Sequence, residues 1–183
     1  MPPPTLLAVL VKFALATGCR AREITGLEWN RVDLNRRTAW LNQTKNGTPR
    51  GVPLNRVAVD ILVEQIGKHS RVCFTYQGNP IAWELSNSAW HTALAKAGIK
   101  DFRFHDLRHT WASRHRQAGT SCDELKELGG WKSRQMVDRY ARYATEHLTI
   151  AAARIERVRK AEVEVEDAQE SVTILSRPKT ERA

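Results

Sequence analysis

Apolar residues recur at helical spacing at the start of the chain, where Leu6, Leu7, Val9, Leu10, Phe13 and Ala14 form one stripe that runs to Thr17-Gly18, a natural helix stop. A second, shorter helix is expected over Ala21 to Trp29. From Val32 the pattern changes to short β-prone pieces, Val32 to Leu34, Thr38 to Leu41 and Gly51 to Leu54. They are broken at Asn35-Arg36-Arg37 and at Lys45-Asn46-Gly47-Thr48. Asn-Gly readily takes the left-handed backbone that a tight hairpin turn needs, so these pieces predict a small antiparallel meander. Helical spacing returns over Val57 to Ile66, Val72 to Tyr76 reads as a short extended piece, and Trp83 to Ala97 is helical up to a glycine cap at Gly98. Three further helices are expected over His105 to Gln117, Cys122 to Leu128 and Ser133 to Ala141.

The order of elements predicts an α+β chain, mainly helical, with a small three-stranded antiparallel sheet packed beside a helical core. Beyond Thr145, Leu148, Ala151, Ala152, Ile155 and Val158 make an apolar stripe, with Arg154, Arg157, Arg159 and Lys160 on the other faces. This helix is expected to dock on its own domain or on a neighbour. Residues 161–183 are charged and small, with little core-forming content, and are expected to be a mobile tail. The 183 residues suit one domain, long enough to bury a core without disulfides or metals, and the chain shows no internal repeats.

Charge narrows the partners. Lys and Arg number 29 against 20 Asp and Glu, a formal charge of +9, which makes nucleic acid the leading partner. An acidic protein or an anionic membrane surface would also satisfy the charge, but the longest apolar run, Leu6 to Ala16, contains Lys12 and is too short to span a bilayer. Met-Pro-Pro-Pro is a poor signal-peptide start, so a cytoplasmic protein is expected. Cys19, Cys73 and Cys122 are odd in number and widely spaced, which suggests packed, reduced thiols and neither a disulfide framework nor a zinc site.

Candidate chemistry sits in four places. His105-Asp106-Leu107-Arg108-His109 opens a helix, and a spacing of three puts His105 and Arg108 on one face near backbone N–H groups that attract anions. The same segment also reads as a surface Arg and a capping His, or as a metal pair His105 and His109 with Asp106 where a zinc hydrolase has Glu. Arg108 on the same turn argues against the metal, because a guanidinium repels a divalent cation. Arg20 follows Gly18 in a loop, with Glu23 one turn on and able to orient the guanidinium, although an ordinary helix connection would look alike. Lys45 stands at a hairpin tip, where a long cation reaches a ligand without disturbing the sheet, but where most lysines are only solvated charge. Finally, Leu128-Gly129-Gly130-Trp131-Lys132-Ser133 leads to Tyr140, and a helical Tyr is more often core than nucleophile.

In chain order these pieces closely resemble the catalytic domain of the tyrosine recombinases, the phage-integrase family. The match comprises T-G-x-R-x-x-E, a hairpin Lys before N-G, H-x-x-R, then G-W with Tyr nine residues later. It covers roughly Leu6 to Tyr143; the segment from His105 to Tyr140 is its most specific part and the hairpin Lys its least. The resemblance implies the family's catalytic fold and assigns Arg20 and Arg108 as the two arginines, Lys45 as the lysine, His105 as the first histidine and Tyr140 as the nucleophile. Trp131 stands where many members have a second His; an indole donates one N–H and shuttles no protons, so a hydrogen-bonding role with retained activity is expected. Tyr143 competes as nucleophile three residues along the same face, and the spacing from Trp131 selects Tyr140.

The implied activity is site-specific cleavage and rejoining of DNA through a 3′-phosphotyrosyl bond, without metal, ATP or another cofactor. By resemblance, Arg20 and Arg108 stabilise charge on the phosphate, His105 accepts the tyrosine proton and Lys45 protonates the leaving 5′-oxygen. Double-stranded DNA, a tetrameric synapse of protomers and accessory DNA-bending or directionality proteins are the implied partners, with no membrane. Residues 1–160 are expected to form the catalytic domain, including the docking helix. The family's N-terminal core-binding domain is expected to be absent ahead of Leu6, the chain then being a fragment or a minimal member. A DNA-binding relic without chemistry and a type IB topoisomerase-like enzyme are the competing readings; all five core catalytic residue types are present, and compact length with the G-W-K-S spacing favours the integrase branch. Neither the target sequence nor the direction of recombination is encoded by a motif.

Overall fold

The computed structural model describes residues 5–41, 49–81, 86–141, 149, 152 and 153. Helix α1 (Leu6–Thr17) is the hub of the fold. Thr5 caps its start by accepting a hydrogen bond from the Ala8 N–H, and Gly18 ends it in the left-handed conformation. Val9, Leu10, Phe13 and Ala14 are buried from it, and it packs against α2 (Ala21–Thr25), α3 (Arg56–Val63), α4 (Ser86–Lys96) and α5 (Asp106–Gln117). Phe13 meets Phe74 edge to face at 5.0 Å between ring centroids, which ties α1 to the loop after α3.

The second helix is shorter than its spacing suggests. It stops at Thr25, and Trp29–Arg31 forms a separate 3₁₀ turn, because Gly26 closes the helix and the Trp29 N–H bonds to the Arg71 carbonyl instead of continuing a helical ladder. The meander forms as expected: β1 (Val32–Asp33), β2 (Thr38–Leu41) and β3 (Arg50–Pro53) pair antiparallel in that order. Strand β3 begins one residue earlier than the pattern indicates, and this residue matters. Leu41 pairs with Arg50 and Ala39 with Val52, so the buried face of the sheet carries Ala39, Leu41 and Val52 together with the guanidinium-bearing Arg50. The Asn46-Gly47 turn and Lys45 lie outside the described residues.

After α3, Thr75–Tyr76 (β4) and Asn79–Pro80 (β5) make a two-residue hairpin over Gln77-Gly78, whereas Val72 only bridges Glu28. Helix α4 is described from Ser86, so the expected start at Trp83 lies outside the described residues. Three helices follow: α5, α6 (Cys122–Gly129), capped by a reciprocal pair of hydrogen bonds between Ser121 and Glu124, and the single turn α7 (Gln135–Asp138). The expected helix Ser133 to Ala141 is thus only its middle. Of the segment after Thr145, only Thr149, Ala152 and Ala153 are described, Ala152 alone being a member of the apolar stripe, and the expected docking helix and tail otherwise lie outside the described residues.

Buried residues form two clusters. The larger one joins α1 to α5 with the sheet; the smaller one consists of Trp111, Ala112, Leu125, Val137 and Tyr140, with Cys122, Leu128 and Trp131 against it. Gly18 joins the two: its φ is +66°, and an added Cβ would lie 2.4 Å from the Trp111 ring. Both the left-handed backbone and the ring therefore exclude a side chain. Gly18→Ala is expected to lower stability by at least about 1–3 kcal/mol, the usual cost of a strained backbone, read as a fall in the urea unfolding midpoint.

Candidate active site

The site is assembled around Arg108, whose side chain leaves α5 and is only 2% exposed. An ionised group so buried must be matched by acceptors. Its Nη1 donates to the Gly18 carbonyl at 2.6 Å and its Nη2 to the Gly129 carbonyl, joining the end of α1 to the end of α6. The Trp131 ring covers the guanidinium, with its centroid 4.2 Å from Cζ. Burial, reinforced by the nearby charges of Arg20 and Arg50, pushes the Arg108 pKa down to about 10, so it remains cationic at neutral pH. A guanidinium has five N–H donors, and fixation by two carbonyls does not exhaust it.

Arg20 stands at the start of α2, where its backbone turns from the loop into the helix. Glu23 accepts the Arg20 N–H and the Arg20 guanidinium, both at 2.7 Å, and so fixes the side chain from one turn away. The same carboxylate accepts from Arg50 Nη2 at 3.0 Å, while Arg50 Nη1 donates to the Leu128 carbonyl at 2.7 Å. Burial alone would raise the Glu23 pKa, but Arg50, the Arg20 N–H and the Arg20 guanidinium outweigh it and hold the carboxyl below its ordinary range. One carboxylate therefore orients two arginines, and a third is fixed by main-chain oxygens.

The second cluster brings the tyrosine to this group. Gly129 has no side chain because the Trp131 ring lies where one would be, within 1.9 Å of an added Cβ. Trp131 stands 6.1 Å from Trp111 and 5.8 Å from Tyr140, measured between ring centroids. Its indole thus has Arg108 against it and Tyr140 beside it. Tyr140 is 3% exposed, and its hydroxyl lies 2.5 Å from Nδ1 of His109. His105 packs edge to face on His109, 5.2 Å between centroids, and is exposed at the opening of the site. Burial first, then His109, Arg108 and Arg20, hold the His105 pKa below its ordinary value, against a small upward pull from Asp106. Among the described residues no group of three or more potential metal ligands converges, and no helix is long and apolar enough to cross a membrane.

Of the residues singled out by sequence, Arg20, His105, Arg108, Trp131 and Tyr140 are brought together, whereas Lys45 and the rival Tyr143 lie outside the described residues. Trp131, expected to act through its N–H, meets Arg108 with its ring face. Two further members of this cluster are not singled out by the sequence as part of it. Arg50 hides in a strand whose pattern places it on the inward face, a register signal that becomes legible only once the strand is extended back by one residue. His109 was visible only as a candidate metal ligand; its i+4 spacing from His105 was the available signal for a shared face.

The model of the phage integrase family matches residues 2–147, and the chain belongs to that family. The integrase of Salmonella phage P22 is 43% identical over 166 residues, which are 83% of this chain and 43% of that protein. A shufflon-specific DNA recombinase of Escherichia coli is 36% identical over 137 residues, 74% of this chain and 34% of that protein. The chain thus spans less than half the length of these relatives. Among solved structures, the catalytic domain of bacteriophage HP1 integrase is 28% identical with a TM-score of 0.62, covering 80% of each chain.

Two outcomes follow for stability. Glu23→Gln is expected to cost about 3–5 kcal/mol in urea unfolding, because it leaves buried guanidiniums without their shared counter-charge. In the parent protein, the depressed carboxyl stabilises the fold above its ordinary pKa of 4.5 and loses that contribution as pH falls through the lower folded value. Glu23→Gln should therefore flatten the acid limb of a stability-against-pH curve. The imidazoles of His105, His109 and His115, all held below 6.5, act earlier: their contribution is complete above 6.5 and declines as pH falls below it.

Proposed function

We propose that this chain is the catalytic part of a site-specific DNA recombinase, which breaks and rejoins double-stranded DNA through a 3′-phosphotyrosyl bond at Tyr140. The observation that carries this reading is the placement of the Tyr140 phenol and the Arg108 guanidinium against the one Trp131 ring, with Arg20 in the same cluster. The names of the relatives, an integrase and a DNA recombinase, support it.

In this mechanism a backbone phosphate enters from the side of Arg20 and His105, the more open edge of the site. Attack by the phenol oxygen adds negative charge to the non-bridging oxygens, and fixed guanidiniums of Arg20 and Arg108 stabilise it without reorganisation. A phenol with a pKa near 10 needs a proton acceptor at neutral pH, and a histidine of the 105–109 pair serves. The P–O5′ bond breaks, and the leaving oxygen takes a proton from Lys45, the role implied by family resemblance. Trp131 holds Arg108 and Tyr140 in register. Because the phosphotyrosine ester keeps the energy of the broken bond, a second 5′-hydroxyl reverses the attack and seals a new junction without ATP.

Joining two sites requires more than one protomer, and a tetrameric synapse on DNA, assisted by accessory DNA-bending or directionality proteins, is part of the same proposal. So is action in the cytoplasm, on nucleoid DNA. Residues 1–160 serve as the catalytic unit, with the segment after Thr145 as a contact between protomers.

A pool of nicked duplexes with a randomised core tests the reading. Cleavage beside the nick releases a short fragment and traps the enzyme, so an SDS-stable adduct is expected with the parent chain and none with Tyr140→Phe. EDTA is expected to leave the adduct unchanged. DNA binding with no adduct would mark a relic, and relaxation of supercoils without joining of separate duplexes would mark a topoisomerase.

A further inference from the structure

Helix α5 offers two histidines to the tyrosine, and the structure separates them. His105 is exposed and faces the arginines, whereas His109 is half-buried and turned to the smaller core cluster. Of these two histidines, it is His109 that has a ring nitrogen at hydrogen-bond distance from the Tyr140 hydroxyl, Nδ1 to Oη at 2.5 Å. Its ring lies 5.8 Å from the Tyr140 ring and 5.2 Å from that of His105, so the three groups form a row from the interior to the open edge. We propose that His109, one residue beyond the arginine of the H-x-x-R motif, is the catalytic base that takes the phenol proton of Tyr140 and returns it on rejoining. This inference rests on the recombinase reading and specifies which imidazole serves the nucleophile.

The proton inventory closes. As the Oη–P bond forms, the Oη–H bond breaks and Nδ1 of His109 gains the proton, while the P–O5′ bond breaks and the 5′-oxygen is protonated by a separate acid. In the second half, the O5′–P bond forms as the attacking 5′-hydroxyl gives its proton back to that same acid, the Oη–P bond breaks, and Nδ1 of His109 returns its proton to the phenolate.

The surroundings of His109 suit both directions. Burial is the first influence, disfavouring the charged ring; Asp106, at the start of the same helix, favours it, and Arg139 beside the tyrosine, Arg103 before the helix and Arg108 within it disfavour it again. The balance holds the His109 pKa below its ordinary value. The ring is therefore neutral and able to accept at neutral pH, and once protonated it stands among cations and next to His105, ready to lose the proton. Two imidazoliums at that spacing repel, so a charge on one ring disfavours a charge on the other.

Three variants of the full chain decide the matter, each checked by circular dichroism and by binding to the nicked pool. His109→Asn keeps an acceptor near Nδ1 but no base, His109→Phe keeps only the ring, and His105→Asn alters the neighbour. Single-turnover adduct formation should slow by roughly 10²–10⁴-fold in both His109 variants, the usual contribution of a positioned base. The parental rate should fall as pH drops and His109 becomes protonated; this acid limb should vanish in His109→Asn and persist in His105→Asn. Without any DNA, nitrogen NMR of the imidazoles should find Nδ1 of neutral His109 unprotonated and shifted by Tyr140→Phe. His109→Phe trapping DNA at about the parental rate, an acid limb lost only with His105, or a proton resident on Nδ1 would each overturn the proposal. Should the parent chain itself trap no DNA, the recombinase reading fails instead, and the NMR result still stands or falls separately.

Discussion

A cation with almost no exposure to water sets the terms for everything around it. Arg108 is held by carbonyls from two distant turns and roofed by an indole, and each of these partners demands something further. The Gly18 carbonyl is available because α1 ends there in a left-handed residue, and that residue has no side chain because Trp111 fills the space. Gly129 is likewise bare so that Trp131 can lie across it. Replacing Arg108 would thus leave two carbonyls and an indole arranged about nothing. The segments that must converge for chemistry are the same ones that must converge to neutralise this charge.

The arrangement also explains how several guanidiniums share a small volume. Arg20 and Arg50 share one buried carboxylate, and Arg108 relies on dipoles instead of a counter-ion. The cluster consequently keeps an excess of positive charge. Like charges held rigidly cost stability, and that cost is offset when an anion enters, which is the condition for stabilising a transition state more than the resting site.

Much of this was legible in the chain. The stripe from Leu6 to Ala14, the Thr17-Gly18 stop and the three short strands are local signals, set by side-chain periodicity and glycine, and they appear as expected. Arg20, His105, Arg108, Trp131 and Tyr140, picked out by motif spacing, stand close together in the fold. What escaped depends on long-range pairing. Helix α2 ends early because Trp29 bonds to Arg71, some forty residues away. Arg50 resembles a solvated strand-end arginine until Glu23 and the Leu128 carbonyl are brought to it. His109 could not be told from a metal ligand, because nothing in His105-Asp106-Leu107-Arg108-His109 reveals which way an imidazole faces. The partner that resolves it, Tyr140, is 31 residues downstream.

The line of rings through the smaller cluster gives the molecule a built-in optical signal. Light absorbed by the Tyr140 phenol passes readily to an indole as near as Trp131, and Trp111 stands next in line. Emission from those indoles therefore depends on where the tyrosine sits and on the guanidinium lying against Trp131. Withdrawal of Tyr140 from its resting place would alter the native fluorescence, so its movement can be followed in real time with no dye attached.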